Sequence, residues 1–482
     1  MKSKFVLAVI FSVVMTSPVL ADTKSPLKLE SSDPNLLTCF NWAKNQALLF
    51  AFEGDPVGSW YEASVPGREA FCCRDTSHQV LGAHLLGLDK RTLNMLGKFA
   101  KHISESKDFC TYWELNRCNK PAPIDYRNDK EFWYDLPANF EVLDACWRMY
   151  LWTHDKTYLE NETFRRFYDL TVDQYIKRWD LQIENIPQRK RYMNRPTFDP
   201  NDKYQFSRGI PTYWEGQPQN VRVGVDLLSA QVAAYRAYAA MMRIEGKNKK
   251  ADNYLEKAAR ITDFLQNQMW NKKQNRPHEM LLTDNSFFTG TGMQIYMLYH
   301  NALSSLDKKL KTLEAITTGP QITMEIHSHY AQVFYRYGQA QLAYDWMMKL
   351  SDPDTPRRDY PEVSYGTIAA MVEGMMGVEV FEQENRIATI SRLTPVTDWV
   401  KVSCIPFHGN YVDIKHVGTS LSTLSNKSDN TINWVAGFYG KVDYLFAGDK
   451  KIKALQGRDL VDNIYSFVEV QVSPGQSLTV RK

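Results

Sequence analysis

The chain has 482 residues, a net charge of +3 from 58 basic and 55 acidic side chains, and 44% hydrophobic content. That length exceeds one domain of about 100–200 residues, and the dispersed Lys and Arg argue against a nucleic-acid partner. Beyond the N-terminus no apolar stretch reaches the about 20 residues that span a bilayer, so no membrane span is expected. Aromatic residues make up 13%, with 12 Trp and 26 Tyr, which suits sugar-stacking surfaces as well as cores.

Met1 to Ala21 reads as a cleaved export signal: Lys2 and Lys4 lead, Phe5 to Met15 form an apolar core, and Val19-Leu20-Ala21 offers a small-residue cleavage site. No cysteine follows that site, so a periplasmic or secreted protein without a lipid anchor is expected. Seven cysteines cannot all pair. Cys110 and Cys118 flank a short polar loop and are the expected disulfide, whereas Cys72, Cys73 and Cys146 lie in apolar helical patterns.

From Asp33 to about Val378 the hydrophobic period is helical. It predicts twelve helices near 34–52, 69–86, 91–106, 139–153, 158–180, 224–245, 249–270, 287–301, 304–316, 323–337, 339–350 and 363–376. Helices apolar over much of their surface, such as 139–153 and 224–245, alternate with helices that keep a charged face, such as 158–180 and 249–270. An inner ring sheathed by an outer ring follows. Long aromatic-rich segments, 108–138, 184–223 and 271–286, precede inner helices and are expected to gather at one mouth. After Gly377 short β-rich runs broken by Gly, Asn and Pro predict a small antiparallel sandwich. The expected division is a signal at 1–21, a catalytic domain at 22–378 and a β-domain at 379–482.

The chemistry is anchored at Ser59–Gly87, where Arg74 and Asp75 interrupt a run built for burial: Phe71, Val80, Leu81, Ala83, Leu85 and Leu86 surround them. A charged pair there must satisfy itself, a ligand, or both. In Tyr213-Trp214-Glu215-Gly216 a carboxyl stands beside an aromatic ring in a long loop, a setting that favours the protonated form required of a general acid. Glu362 follows Pro361 at the start of the last inner helix, near its positive end, which suits an ionised base. Asp359 and Glu325 are its substitutes. Other candidates open inner helices: Trp133, Tyr134, Asp135, Asn139 and Glu141; Asp226; Asp284 and Asn285; His327, His329 and Tyr330. His327-Ser328-His329 has metal-like spacing, but two histidines are too few for a zinc site, so no metal or other cofactor is expected.

Twelve helices in six hairpins followed by a β-sandwich resembles the six-hairpin glycosidases, a superfamily including glucoamylases, α-mannosidases and α-L-rhamnosidases. Arg74-Asp75 with Gln79 is similar to the pair that grips hydroxyls of the terminal sugar in glucoamylases and exo-acting α-mannosidases. Trp214-Glu215 is similar to the glucoamylase proton donor with its preceding Trp, and Glu362 holds the place of the glucoamylase base. The resemblance implies an (α/α)6 toroid and an exo-acting, inverting glycoside hydrolase. Catalysis would rest on Glu215 and Glu362, and substrate binding on Arg74, Asp75, Gln79, Trp133, Tyr134, Asp135, Trp214 and His329. Two competing readings are a polysaccharide lyase, for which EIHSHYAQVFYRYG supplies His, Tyr and Arg together, and a non-catalytic glycan-binding protein.

Overall fold

A computed structural model describes residues 25–190, 207–214, 220–319 and 323–482. The expected export signal and Glu215 lie outside these residues.

Among the described residues six inner helices form a closed ring: Cys73–Leu85, Pro137–Thr153, Val225–Ile244, Ile295–Tyr299, Tyr330–Arg336 and Pro361–Ala369, the last continuing to Met375. Each packs against the next, and the sixth returns to the first. Around them lie Asp89–Lys101, Glu162–Leu170 with its continuation to Arg178, Asn248–Asn267, Leu306–Thr318, Ala340–Ser351 and, from the start of the chain, Pro34–Leu49. The alternation in sequence character follows from burial. Val225–Ile244 is covered along nearly its whole length, while Asn248–Asn267 buries one stripe that includes Ala251, Tyr254, Ala258, Ile261 and Leu265.

The helical part is not all-α. Ala70–Cys72, expected as the start of a helix, is a strand paired with Glu114–Asn116. The helix expected from 287 is confined to Ile295–Tyr299, because Phe287–Phe288 pairs with Met280–Leu282 and positive backbone φ at Gly290 and Gly292 stops a helix from starting earlier. The long loops thus pair their backbones with one another, as buried peptide groups must. One such pair, Tyr134–Asp135 with Arg208–Ile210, is parallel, and it is only a link between loops.

The C-terminal part is a sandwich of two sheets. The larger has seven strands, including Lys28–Ser31 from before the first helix, which lies along Trp399–Phe407. The smaller has five, and Arg386–Ile390 runs parallel to Ile432–Tyr439, a departure from the expected antiparallel order. Asp33 joins the two parts: one carboxylate oxygen caps Pro34–Leu49, and the other accepts from Tyr344 at 2.7 Å and Thr397 at 3.0 Å. The sandwich packs on the C-terminal ends of inner helices, where His408 bonds the Leu151 carbonyl at 3.0 Å, His416 the Met376 carbonyl at 3.0 Å and His84 the Pro406 carbonyl at 3.3 Å. The N-terminal ends are left for a pocket.

All seven cysteines are free thiols. The expected Cys110–Cys118 bridge does not form, because Cys110 is buried in the core and Cys118 is exposed on a turn. Among the described residues no helix is long and apolar enough to cross a membrane.

Candidate active site

A cavity of about 460 Å³ opens at the N-terminal ends of the inner helices. Arg74 and Asp75 reach it from the first turn of the first helix, Trp133 from before the second, Tyr213 and Trp214 from before the third, and Tyr296 from the fourth. Glu325 and Ile326 enter from before the fifth and Tyr360 from the edge of the sixth. Of the long loops singled out in the sequence, 108–138 supplies Trp113, Asp125 and Trp133 to its wall and 184–223 supplies Tyr213 and Trp214, whereas 271–286, expected at the same mouth, contributes no lining residue.

Arg74 is clamped. Its Nε donates to Asp75 Oδ1 at 3.2 Å, its Nη1 lies 3.6 Å from Asp135 Oδ2, and its guanidinium stands 5.0 Å from the Tyr213 ring and 5.4 Å from the Trp113 ring. Such a clamp leaves one geometry for a cation facing the cavity. The Tyr360 hydroxyl donates to Asp75 Oδ2 at 3.3 Å. Burial, reinforced by the neighbouring Glu362, pushes the Asp75 carboxyl up to about 7 against the pull of Arg74. Asp75 can therefore accept or donate near neutral pH.

A second acidic wall holds Arg68, which pairs with Glu114 at 3.1 Å, and Asp125, whose carboxyl is raised well above the usual range by burial and by Glu114. Opposite it, Glu325 pairs with Arg357 at 2.6 Å, and its other carboxylate oxygen is buried with no hydrogen-bond partner among the described residues.

Beneath the cavity lies a buried axial cluster. His78 Nδ1 is 2.7 Å from Glu362 Oε1 and its Nε2 is 3.5 Å from Glu141 Oε1. Glu141 also engages His300 at 2.8 Å and accepts from the Tyr213 hydroxyl at 2.7 Å. Burial opposes charge on His78, but the two carboxyls outweigh it and hold the imidazole at about 9. Glu141, despite its own burial, is kept well below the usual carboxyl range by His300 and His78.

Of the residues singled out in the sequence, Arg74, Asp75, Trp133 and Trp214 line the cavity. Asp135 supports Arg74 from below, and Tyr134 is buried with its hydroxyl donating to Asn139 at 2.5 Å. Gln79 faces away from the cavity, bonding the Glu62 carbonyl and the Glu362 amide. Glu362 and His329 belong to the axial cluster rather than the cavity wall. Asp226 is occupied by Thr212 and the Tyr213 amide, and Asp284 and Asp359 are exposed away from the pocket. Trp113, Tyr360 and Asp125 were missed; Trp113 and Asp125 lie within the flagged loop 108–138 and Tyr360 two residues before Glu362.

The set that motivated a lyase is dispersed. His329 is axial, Tyr330 packs on Trp346, and Arg336 donates to the Tyr299 carbonyl at the other end of the ring.

No protein-family profile and no curated protein matches the sequence. Solved structures do. The chain superposes on a GH78 rhamnosidase of Bacillus sp. GL1 with a TM-score of 0.57 at 12% identity, over 83% of this chain and 40% of that one. For an α-L-rhamnosidase from Dictyoglumus thermophilum the values are 0.60, 13%, 95% and 51%. For a putative kojibiose phosphorylase from human microbiome they are 0.54, 10%, 93% and 63%. The fold is similar to that of the six-hairpin glycosidases. The chain spans roughly half the length of these structures, from 40% to 63%. Within the six-hairpin glycosidase fold the helical ring and the β-sandwich both find counterparts, since the match to the second structure takes in 95% of this chain.

Proposed function

We propose that the protein is a periplasmic or secreted exo-acting glycoside hydrolase that releases a terminal sugar from an oligo- or polysaccharide with inversion. The observation that carries this reading is the clamped Arg74–Asp75 pair at the wall of a cavity rimmed by Trp113, Trp133, Tyr213 and Trp214. Carboxylate and guanidinium match vicinal hydroxyls, and the rings match the apolar faces of a pyranose. Tyr213 and Tyr296 of the cavity wall pack on His78 of the axial cluster, an arrangement that fits a chain terminus better than a chain interior.

In the proposed single displacement, Glu215, next in sequence to the cavity-lining Trp214, protonates the glycosidic oxygen. A carboxylate on the opposite face takes a proton from water as the water oxygen bonds to the anomeric carbon and the glycosidic bond breaks. We assign that base to Glu325, which lines the cavity and is oriented by Arg357; Glu362 is engaged by His78 and does not line it. The (α/α)6 arrangement of six hairpins fits this reading, because Trp113, Trp133, Trp214 and Glu325, each from a segment before an inner helix, line one cavity.

The test is digestion of a panel of aryl glycosides and oligosaccharides, with α-L-rhamnosides included because two matched structures are rhamnosidases. Release of a single monosaccharide that is lost in Glu215→Gln and Glu325→Gln supports the assignment. Loss in Glu362→Gln with full rates in Glu325→Gln would return the base to Glu362.

A further inference from the structure

The axial cluster is left unused by the hydrolytic steps, and its donors have a character of their own. We propose that His78, His329 and Glu362 bind one divalent transition-metal ion of the zinc class on the axis of the helical ring.

The three side chains come from three different inner elements: the middle of the first helix, the residue just before the fifth, and the first turn of the sixth. One donor atom of each lies within 4.8 Å of the other two, and all three residues are buried. Glu362 Oε1 is 2.7 Å from His78 Nδ1 and 3.7 Å from His329 Nε2. Ligand atoms around a tetrahedral zinc with bonds of about 2.0–2.1 Å stand about 3.3 Å apart, so the two separations bracket the required edge. The short one is now bridged by a proton, which the ion would displace.

His329 gives independent support. Its Nε2 is buried with no hydrogen-bond partner among the described residues. A buried imidazole nitrogen 3.7 Å from a carboxylate oxygen and without a hydrogen bond is costly unless something else occupies the gap.

The surroundings have the form of a supporting shell. Glu141, itself held by His300 and Tyr213, stands 3.5 Å from the far nitrogen of His78, which makes no hydrogen bond among the described residues, so it is placed where a metal-ligating imidazole takes a supporting carboxylate. The ring also has a use for a staple at this point. Its fourth and fifth helices are only 5 and 7 residues long, so little helix–helix surface closes that side. The ion would tie the fifth element to the first and sixth.

The experiment takes the untagged, full-length protein, strips it with chelator, and titrates Zn²⁺ or Co²⁺ by calorimetry while following the melting temperature. Uptake of one equivalent with a rise in melting temperature is expected, together with the visible absorption of a four-coordinate Co²⁺ centre. His329→Ala is expected to lose that equivalent, and Glu141→Gln to weaken it about 10–100-fold. Zinc X-ray absorption on the wild type, which needs no variant, should show nitrogen and oxygen ligands with two imidazoles. No uptake and no thermal shift would overturn the proposal, as would full binding in His329→Ala or sulfur ligation from any of the free cysteines.

Discussion

Asp75 is held by Arg74 and Tyr360 at the cavity wall, so removing its charge while keeping its shape isolates its role. Asp75→Asn is expected to lower kcat/KM about tenfold to a hundredfold, the range for a lost charge-assisted hydrogen bond, with the fold intact by circular dichroism. Glu215→Gln and Glu325→Gln are each expected to lower kcat by about 10²–10⁴-fold on a substrate with a poor leaving group. An activated aryl leaving group should rescue Glu215→Gln but not Glu325→Gln, because only the acid becomes dispensable; steady-state kinetics on the two substrate types reads this directly. Arg74 and Asp75 were legible in the sequence because charges inside an apolar run demand an explanation. The choice between Glu325 and Glu362 was not legible: both stand in the first turn of a helix, and only packing sends one to the cavity and the other to His78.

The first and sixth inner helices pack backbone to backbone at Gly82. A Cβ on Gly82 would collide with the backbone carbonyl of Tyr365, so this glycine sets how near the two helices stand. Gly82→Ala is expected to destabilise the protein by about 1–3 kcal/mol through overpacking, read as a lowered denaturation midpoint with an unchanged slope. The helix periods were readable because the ring is buried on one side of each outer helix and on all sides of most inner ones. The strands at Ala70–Cys72 and Phe287–Phe288 were not readable. Short apolar runs look alike in helix and strand, and here the deciding partners, Glu114–Asn116 and Met280–Leu282, lie elsewhere in the chain.

At the scale of the molecule the toroid opens a mouth at the N-terminal ends of its inner helices, and a cost of building it is buried ionisable groups. Asp226, locked under the Tyr213 loop, has its carboxyl pushed up to about 7 by burial. The folded state therefore holds a proton that the unfolded chain releases near pH 4, so stability falls as pH rises from about 4 to 7 and is not regained above it. Asp226→Asn is expected to flatten that part of the stability–pH curve, by up to about 4 kcal/mol at its upper end, as followed by denaturation at each pH. The switch from helices to strands was legible from the change of texture after Gly377, but the strand Lys28–Ser31 was not: four residues carry no label saying that they pair with Val400–Ser403, far along the chain. The central claim is that this mouth hydrolyses a terminal glycosidic bond. Proton NMR of an oligosaccharide digest tests it most directly: the account predicts one monosaccharide released from the chain end as the inverted anomer, with release suppressed in Asp75→Asn, whereas an unsaturated product, or binding with no product across the panel, would contradict it.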